Sequence, residues 1–360
     1  MFSDSSINDC EYPFYGLWPK EKIIDKQKYL LWKFRLLIWN GFVITGLLAN
    51  DIYFNLIMNL LLTGCFKYSE EQIQMLRALG YTIHFMQQES DELPFLAAKI
   101  DAVVCNGLFL RHNIDEFSQL KFIQLTSTGL DRVPVELIRQ KGIQLYNARG
   151  VYSIPMAEWA LFRVLEQYKQ GWFFRQEQVA KRWVKHRGLR EIYGIKIAII
   201  GAGNVGQEVA KRFQAFGAEI TGFDVHTDEM IGFHHMVLIK DLKNSVGKFD
   251  VIVVTAPLLP STKGLISGEI LTSMKEGAIL VNISRGGLID EQAMCEILEK
   301  RKDLFAALDV FENEPLAEDS PLWKLENVAI SPHNSFVSNG NNTRMFKVIY
   351  DNLKSYILGK

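Results

Sequence analysis

Three side chains that could act together in catalysis each follow a predicted strand in the second half of the chain. They are Arg285, Glu314 and His333. A guanidinium fork can bind a carboxylate and polarise the adjacent carbonyl, and an imidazole can move a proton in step with hydride transfer. A nearby carboxylate orients the imidazole and favours its protonated form. This is the set of groups that 2-hydroxy acid chemistry requires.

Each of the three also has a simpler explanation when it is considered alone. An arginine before two glycines fits a solvated loop, a glutamate beside a proline fits a turn, and a histidine after a proline fits a capped strand end. Ligands bind beyond the carboxyl ends of the strands in open parallel sheets. Because all three follow successive strands beside a nucleotide-binding motif, the functional interpretation is favoured.

The nucleotide-binding motif is Gly201-Ala202-Gly203-Asn204-Val205-Gly206. It lies between an apolar run that predicts a buried strand, residues 197–200, and a helical pattern from Val205 onward. The first glycine allows a tight turn, the second lets the backbone approach a pyrophosphate, and the third lets helix and strand pack closely. The helix N-terminus faces the phosphate charge. A strand, this loop and a helix in that order predict a dinucleotide site.

Asp224 ends the next predicted strand and indicates which dinucleotide binds. A carboxylate there can accept hydrogen bonds from the ribose hydroxyls and would repel a 2′-phosphate. No arginine or lysine occurs in the next five residues, 225–229. The sequence therefore predicts NAD rather than NADP, although an aspartate at a strand end can also cap a turn.

The composition limits the class of protein. The chain has 360 residues, 48% of them hydrophobic and 22% charged, which is typical of globular proteins and is enough for two domains. A net charge of −1 gives no reason to expect nucleic acid or an anionic membrane as partner. The four cysteines contain no Cys-x-x-Cys pair, so neither a metal site nor a disulfide framework is predicted. We expect a cytoplasmic protein.

Residues 1–57 are atypical. They include the apolar stretch 36–48, which is shorter than a membrane-spanning helix requires and is interrupted by Asn40. One hypothesis is that Met58, at the beginning of a predicted strand, is the functional start and that residues 1–57 are an extension. The competing hypothesis is a membrane-associating helix.

From Met58 onward, strands and helices alternate. Short strands with helices between them are predicted up to residue 146, followed by a long helix from Ser153 towards Gln170. Further strands end near Gly201, Asp224, Thr255, Ile283, Asp309 and Ile330. The final helix, about 340–358, is predicted to return to the first lobe. The fold class is α/β: a Rossmann-type doubly wound parallel sheet (153–333) inserted into a smaller flavodoxin-like α/β substrate domain (58–152 and 334–360).

Residues 58–358 resemble the D-isomer-specific 2-hydroxyacid dehydrogenase family. Several motifs occur in the order typical of that family. They are Ser127–Asp131, Ala157–Leu161, Gly201–Gly206 with Asp224, Ala256–Ile266, Val281–Asp290, Leu308–Pro315 and Ser331–His333.

The resemblance implies a role for each matching residue. Arg285 is expected to anchor the substrate, His333 to act as acid and base, and Glu314 to be its partner. Asp309 is similar to the residue that receives the nicotinamide carboxamide. The positions expected to contact the cofactor are Gly201, Gly203, Asn204, Val205, Gly206, Asp224, Thr255, Ala256, Pro257, Thr262, Ile283, Ser284, Arg285, Asp309 and His333. A homodimer acting on a small 2-oxo or 2-hydroxy acid is also implied.

The substrate is less well specified. The loop 103–109 is similar to the family's substrate-carboxylate loop, which gives Asn106 and Gly107, with Arg285, to the substrate. Members that act on phosphoglycerate tend to have Arg-Ser where Asn106 and Gly107 stand, so a phosphate clamp is not expected. A second hypothesis is an NAD-sensing binding protein, because corepressors built on this fold also keep the arginine, glutamate and histidine.

Overall fold

The computed structural model describes residues 58–93 and 97–359. The hypotheses about residues 1–57 lie outside these residues. Within the described ranges, none of the helices has both the length and the apolar character needed to cross a membrane.

The first lobe contains a five-stranded parallel sheet in the order β2-β1-β3-β4-β5. Its strands are β1 (Met58–Thr63), β2 (Tyr81–Met86), β3 (Ala102–Cys105), β4 (Phe122–Leu125) and β5 (Gln144–Tyr146). Strands β3 and β4 are buried along their whole length, as is β1 from Leu60 onward. Their uninterrupted apolar runs fit this position, because a parallel sheet is covered on both faces.

Helices cover this sheet. They are α1 (Glu70–Ala78), α2 (Val135–Gln140) and, from the end of the chain, α8 (Asn341–Ile357). Ser69 and Gln72 form a capping box that begins α1. Helix α8 contributes Ile349 and Leu353 to the same hydrophobic cluster as Leu60 and Phe122 of the sheet.

The expectation of helices between the short strands was wrong for the connection from β3 to β4. The described residues between β2 and β3, and those between β3 and β4, form only short 3₁₀ turns: Ala97–Lys99, Leu108–Leu110 and Ile114–Glu116. Asn113 accepts a hydrogen bond from the amide of Asp115, an arrangement that starts a new turn instead of continuing a helix.

The second lobe contains a seven-stranded parallel sheet in the order β12-β11-β10-β9-β6-β7-β8. Its strands are β6 (Lys196–Ile200), β7 (Glu219–Asp224), β8 (His235–Leu238), β9 (Val251–Val254), β10 (Ile279–Asn282), β11 (Phe305–Leu308) and β12 (Val328–Ile330). The strand order reverses between β6 and β9, and such a reversal opens a crevice at the carboxyl edge of the sheet. Two parallel-sheet α/β lobes confirm the predicted fold class, whereas the exact domain boundaries stay a prediction.

The helices of this lobe are α3 (Ser153–Tyr168), α4 (Gly171–Val179), α5 (Asn204–Ala215), α6 (Gly268–Thr272) and α7 (Glu291–Lys300). One face of the sheet is covered where Val164 of α3 and Phe213 of α5 pack together over Ile199. The other face buries Ile270 and Leu298, from α6 and α7. Helix α4 and strand β8 were not predicted from the sequence.

Candidate active site

The three glycines of the loop differ in the space that a side chain would have. Gly201 has φ +97°, and a Cβ there would lie 2.6 Å from the backbone nitrogen of Ala256. A Cβ on Gly206 would lie 2.1 Å from the carbonyl oxygen of Gly201. Gly203 differs, because a Cβ built on it meets no atom of the described residues within 4 Å other than those of its chain neighbours. The fold itself therefore requires glycine at Gly201 and Gly206, whereas the space beside Gly203 is open to a ligand.

The N-terminus of α5 presents free donors towards that space. The backbone amides of Asn204, Val205 and Gly206 make no hydrogen bond within the described residues, and Gly203 precedes them without a side-chain cap. Unpaired amides and the helix dipole together favour a phosphate group at this point. Arg149, an exposed side chain of the first lobe, lies beside this N-terminus, where its Nε donates to Asn204 Oδ1 at 3.2 Å. Its positive charge also favours an anion here. These residues fit the pyrophosphate of a dinucleotide.

Asp224 stands at the end of β7 beside the glycine loop. Its Oδ2 accepts a hydrogen bond from the amide of Ala202 at 2.7 Å, and its Oδ1 accepts one from the amide of Val225 at 2.7 Å. These bonds fix the carboxylate next to the loop and leave further lone pairs for ligand hydroxyls.

Other predicted cofactor residues shape the loops around the crevice. Thr255 Oγ1 lies 2.6 Å from the carbonyl oxygen of Gly201, and Thr262 Oγ1 donates to the carbonyl of Pro257 at 2.7 Å. Ser284 Oγ donates to the carbonyl of Ala256 at 2.5 Å. The hydroxyl groups of these three residues thus donate their hydrogen bonds to main-chain carbonyl oxygens. The side chains of Ala256 and Ile283 belong to the buried core, and Pro257 is exposed.

Asp309 organises the segment that carries His333. Its carboxylate is fully buried and accepts hydrogen bonds from the amides of Asn334 and Ser335, at 2.8 and 2.9 Å, and from the hydroxyl of Ser331. Its carbonyl oxygen accepts a bond from the amide of His333 at 2.7 Å. His333 has φ +48°, which is uncommon for a residue other than glycine. This set of bonds holds His333 in that conformation.

His333 and Glu314 form a hydrogen-bonded pair. The distance between His333 Nδ1 and Glu314 Oε2 is 2.7 Å, and Glu314 Oε1 accepts a bond from the amide of Phe311 at 3.1 Å. Both side chains are partly exposed, at 39% and 36%. Nε2 of His333 has no hydrogen-bond partner among residues 58–93 and 97–359. The carboxylate therefore fixes one ring nitrogen and leaves the other available for proton transfer.

Arg285 points across the crevice to the first lobe. It is half-buried and has no acidic partner in the described part of the chain; its Nη1 donates to the carbonyl of Ser284 at 2.7 Å. A Cβ on Gly129, in the loop after β4, would lie 3.0 Å from Arg285 Nη2. An unpaired guanidinium in this position can bind a carboxylate between the lobes.

Asn106 and Gly107 already have a carboxylate partner, which the sequence analysis missed. Glu89, in the loop after β2, accepts a hydrogen bond from the Asn106 amide at 2.7 Å and from the Gly107 amide at 2.6 Å. It also accepts one from the hydroxyl of Thr63 at 2.6 Å. No local sequence signal marks Glu89, because the contact joins two loops that are brought together only by the sheet.

Cys65 lies next to this cluster, with Sγ 2.9 Å from Thr63 Oγ1. Although the residue as a whole is exposed, the protein atoms around the thiol desolvate it and, with a smaller contribution from the Glu89 carboxylate, raise the pKa of Cys65 to about 11. The thiol is therefore neutral near pH 7, and it carries no charge that would compensate Glu89.

The geometry thus separates the predicted residues into groups. The histidine and the glutamate are in contact, the arginine faces the first lobe, and the glycine loop and Asp224 meet at one edge of the seven-stranded sheet. Asn106 and Gly107 are at the carboxyl edge of the five-stranded sheet, where their amides are occupied. The catalytic and binding roles of all these residues stay predictions.

Comparison with known proteins agrees with this architecture. Residues 161–335 match the model of the D-isomer specific 2-hydroxyacid dehydrogenase NAD binding domain. A solved structure of a D-isomer specific 2-hydroxyacid dehydrogenase family protein from Aeromonas salmonicida superimposes with a TM-score of 0.73 at 27% identity, covering 84% of this chain and 96% of that one.

Two curated relatives show the range of similarity. The chain is 34% identical to a hydroxypyruvate reductase of Thermotoga maritima over 254 residues, which is 68% of this chain and 81% of that protein. It is 37% identical to a D-3-phosphoglycerate dehydrogenase of Methanocaldococcus jannaschii over 226 residues, which is 62% of this chain and 43% of that protein. The match to D-3-phosphoglycerate dehydrogenases of two archaea thus spans about half of their length.

Proposed function

Because the chain belongs to the D-isomer-specific 2-hydroxyacid dehydrogenase family, we propose that it interconverts a small (R)-2-hydroxy acid and its 2-oxo acid with NAD(H). The observation that carries this proposal is the pair of His333 Nδ1 and Glu314 Oε2 at 2.7 Å, which leaves the opposite ring nitrogen free. A partly exposed imidazole held in this way is suited to general acid–base catalysis.

In the direction of reduction, Arg285 binds the substrate's carboxylate and draws electron density from the adjacent carbonyl oxygen. His333, protonated on both ring nitrogens, donates its Nε2 proton to that oxygen as the hydroxyl forms. Glu314 stabilises the imidazolium by its negative charge and keeps the ring in place through Nδ1. In the direction of oxidation the same proton returns to Nε2.

The nicotinamide cofactor, when bound, supplies or accepts the hydride. The open space beside Gly203 and the free amides of α5 support binding of its pyrophosphate. Asp224, fixed by the amide of Ala202, is suited to accept hydrogen bonds from the ribose hydroxyls. A 2′-phosphate would meet this carboxylate, so we propose NAD as the preferred cofactor.

The proposal is tested by following NADH oxidation with a panel of 2-oxo acids: glyoxylate, pyruvate, hydroxypyruvate and longer homologues. We expect turnover with at least one of them. Binding of NADH without turnover of any member would favour the NAD-sensing protein instead.

We also propose that the protein is a homodimer. Helix α4 and the segment after it, up to residue 193, expose several large apolar side chains. They include Trp172, Trp183 and Tyr193, which are 69%, 98% and 78% exposed. Such a surface is unusual for a monomer, and a second copy of the chain is the partner we expect. Light scattering after gel filtration tests this: Trp183→Ser should shift the dimer towards monomer, and a wild-type protein that is monomeric at micromolar concentration would contradict it. A cytoplasmic location stays a prediction.

A further inference from the structure

Arg149 connects the two lobes beside the glycine loop. It lies in the loop after β5, and its Nε donates a hydrogen bond to Asn204 Oδ1 at 3.2 Å. Asn204 is the first residue of α5, whose N-terminal amides are unpaired in the described residues. The next residue of the loop after β5, Gly150, also approaches Asn204, because a Cβ built on it would lie 3.3 Å from Asn204 Nδ2. The first lobe therefore brings a cation into contact with the helix end that the proposed function assigns to the pyrophosphate.

The backbone of Arg149 is held in place by a neighbouring loop of the first lobe. Asn147 Oδ1 accepts a hydrogen bond from the Arg149 amide at 3.2 Å, and Asn147 Nδ2 donates one to the carbonyl of Thr128 at 2.7 Å. The amide of the buried Ala148 donates to the carbonyl of Ser127 at 2.9 Å. The loop that carries Arg149 is thus fixed to the loop after β4. A ligand that binds Arg149 does not have to order this stretch of backbone.

Most donors of the Arg149 guanidinium are unused. An arginine has N–H donors on Nε and on both Nη atoms. Within residues 58–93 and 97–359, only the Nε donor of Arg149 has an acceptor, and no carboxylate there forms a salt bridge with it. The side chain is exposed. Its Nη groups are therefore available to the anionic oxygens of a ligand, which a planar fork of donors binds well.

There is room for a ligand at this point. Arg149 and Asn204 line an open groove of about 500 Å³, together with Leu130 and residues of α8. Asp351 of α8 supplies the one carboxylate among the described residues that line the groove, and its Oδ2 lies 2.5 Å from Lys347 Nζ. An anion in the groove would therefore meet the charge of Arg149 without an unpaired carboxylate beside it.

The glycine loop has no positive side chain of its own. Residues 201–206 include neither lysine nor arginine. The nearby cations of α5, Lys211 and Arg212, are paired with the carboxylate of Glu208. Each phosphate of a dinucleotide's pyrophosphate carries a negative charge, and the helix N-terminus supplies only a partial positive charge. Arg149 supplies the full charge that the glycine loop lacks.

We propose that Arg149 is a cofactor-binding residue whose guanidinium binds the pyrophosphate from the first lobe, so that the bound cofactor joins the two lobes across the crevice. This inference rests on the proposed function, because it takes the N-terminus of α5 as the pyrophosphate site. All the residues that the sequence assigns to the cofactor lie at Gly201 or beyond, so Arg149 adds a contact from the other lobe.

Binding of cofactor fragments tests this inference without turnover. ADP-ribose keeps the pyrophosphate and lacks the nicotinamide, whereas adenosine has no phosphate. We would titrate the protein calorimetrically with ADP-ribose and measure adenosine by competition against it. The variants are Arg149→Ala and Arg149→Lys, which keeps the charge but not the fork. Arg139→Ala is the matched control, because Arg139 is an exposed arginine in the last turn of α2, in the same lobe.

Arg149→Ala should weaken ADP-ribose about tenfold, the loss expected for one charge-assisted hydrogen bond in a partly exposed site, and should leave adenosine affinity unchanged. Arg149→Lys should lose less, because an ammonium group still attracts phosphate. Arg139→Ala should bind both ligands as the wild type does. When Arg149→Ala is combined with Asn204→Ala, ADP-ribose should still be weakened relative to Asn204→Ala alone, because the guanidinium acts on the phosphate and not through the Asn204 side chain.

Equal losses for ADP-ribose and adenosine, or an effect of Arg149→Ala that vanishes in the Asn204→Ala background, would overturn the inference, because Arg149 would then only support the loop. Unchanged ADP-ribose affinity in Arg149→Ala would also overturn it, and turnover of a 2-oxo acid by the wild type would then leave the proposed function standing. A wild type that binds neither ADP-ribose nor NADH would contradict both. The predicted pattern without turnover of any 2-oxo acid would support the role of Arg149 and remove the proposed reaction. Arg149→Gln repeats the comparison if Arg149→Ala fails to fold.

Discussion

The carboxyl edges of the two sheets differ in what they leave unpaired. At the edge of the seven-stranded sheet, the amides of α5 and Nε2 of His333 have no partner in the described residues, and Arg285 has no ion pair there. At the edge of the five-stranded sheet, the amides of Asn106 and Gly107 are bonded to Glu89. The second lobe therefore presents free donors for a cofactor and a carboxylate, whereas in the first lobe the two amides of the loop after β3 are occupied.

The largest effect should come from His333, because the proposed mechanism assigns the proton transfer to this residue of the second lobe. His333→Ala should leave NADH affinity unchanged and lower kcat by roughly 10² to 10⁴, the range usual for loss of a general acid. Steady-state kinetics with one 2-oxo acid and NADH binding by fluorescence are the measurements. A variant that keeps near-normal kcat would remove His333 from the mechanism.

Arg285→Lys tests whether the unpaired guanidinium is the main anchor of the substrate. Lysine keeps the charge but loses the planar fork, so KM for the 2-oxo acid should rise and kcat should fall, with kcat/KM lower by about 10². If the variant changed NADH affinity alone, Arg285 would belong to the cofactor site.

The glycine loop allows a matched pair of variants. Gly203→Ala introduces a methyl group that meets no non-neighbouring atom of residues 58–93 and 97–359 within 4 Å, so the melting temperature should not change. NADH affinity should nevertheless fall about tenfold or more, because the methyl group would meet the pyrophosphate. Gly206→Ala places its Cβ 2.1 Å from the Gly201 carbonyl oxygen and should lower the melting temperature itself. Normal NADH affinity in Gly203→Ala would place the pyrophosphate elsewhere.

The smallest of these effects concerns the choice of cofactor. Asp224→Asn can still accept the bond from the Ala202 amide, although it loses the bond from the Val225 amide, and it carries no charge. The preference for NADH over NADPH should therefore narrow, by about tenfold or less. Asp224→Ala should in addition weaken NADH, because the Ala202 amide loses its partner. The measurement is kcat/KM for each cofactor with one 2-oxo acid. Equal use of both cofactors by the wild type would mean that Asp224 does not contact the ribose.

The parts of this molecule that were predictable from the sequence are those encoded by local pattern. The glycine loop lies between a strand and a helix that are adjacent in the chain. Arg285, Glu314 and His333 each follow an apolar run, so a parallel sheet must carry them to one edge. The contact between His333 and Glu314 follows from this, because β11 and β12 are neighbours.

The parts that could not be predicted depend on tertiary contacts or on weak local signals. Helix α4 is separated from α3 by only two residues, Lys169 and the left-handed Gln170, and the single glycine there, Gly171, is a weak signal for a break. Glu89 meets Asn106 only because the sheet brings the loops after β2 and β3 together. Asp309 was expected to contact the cofactor, and its bonds to the segment 331–335 could be seen only in the structure.

The most direct test of the central claim is the product formed by the wild-type protein. NADH and the best 2-oxo acid of the panel would be incubated with the enzyme, and the hydroxy acid would be resolved by chiral chromatography. The account predicts one NADH oxidised for each hydroxy acid formed, and a product that is the (R) enantiomer. An (S) or racemic product, or tight NADH binding with no hydroxy acid formed from any 2-oxo acid, would contradict it.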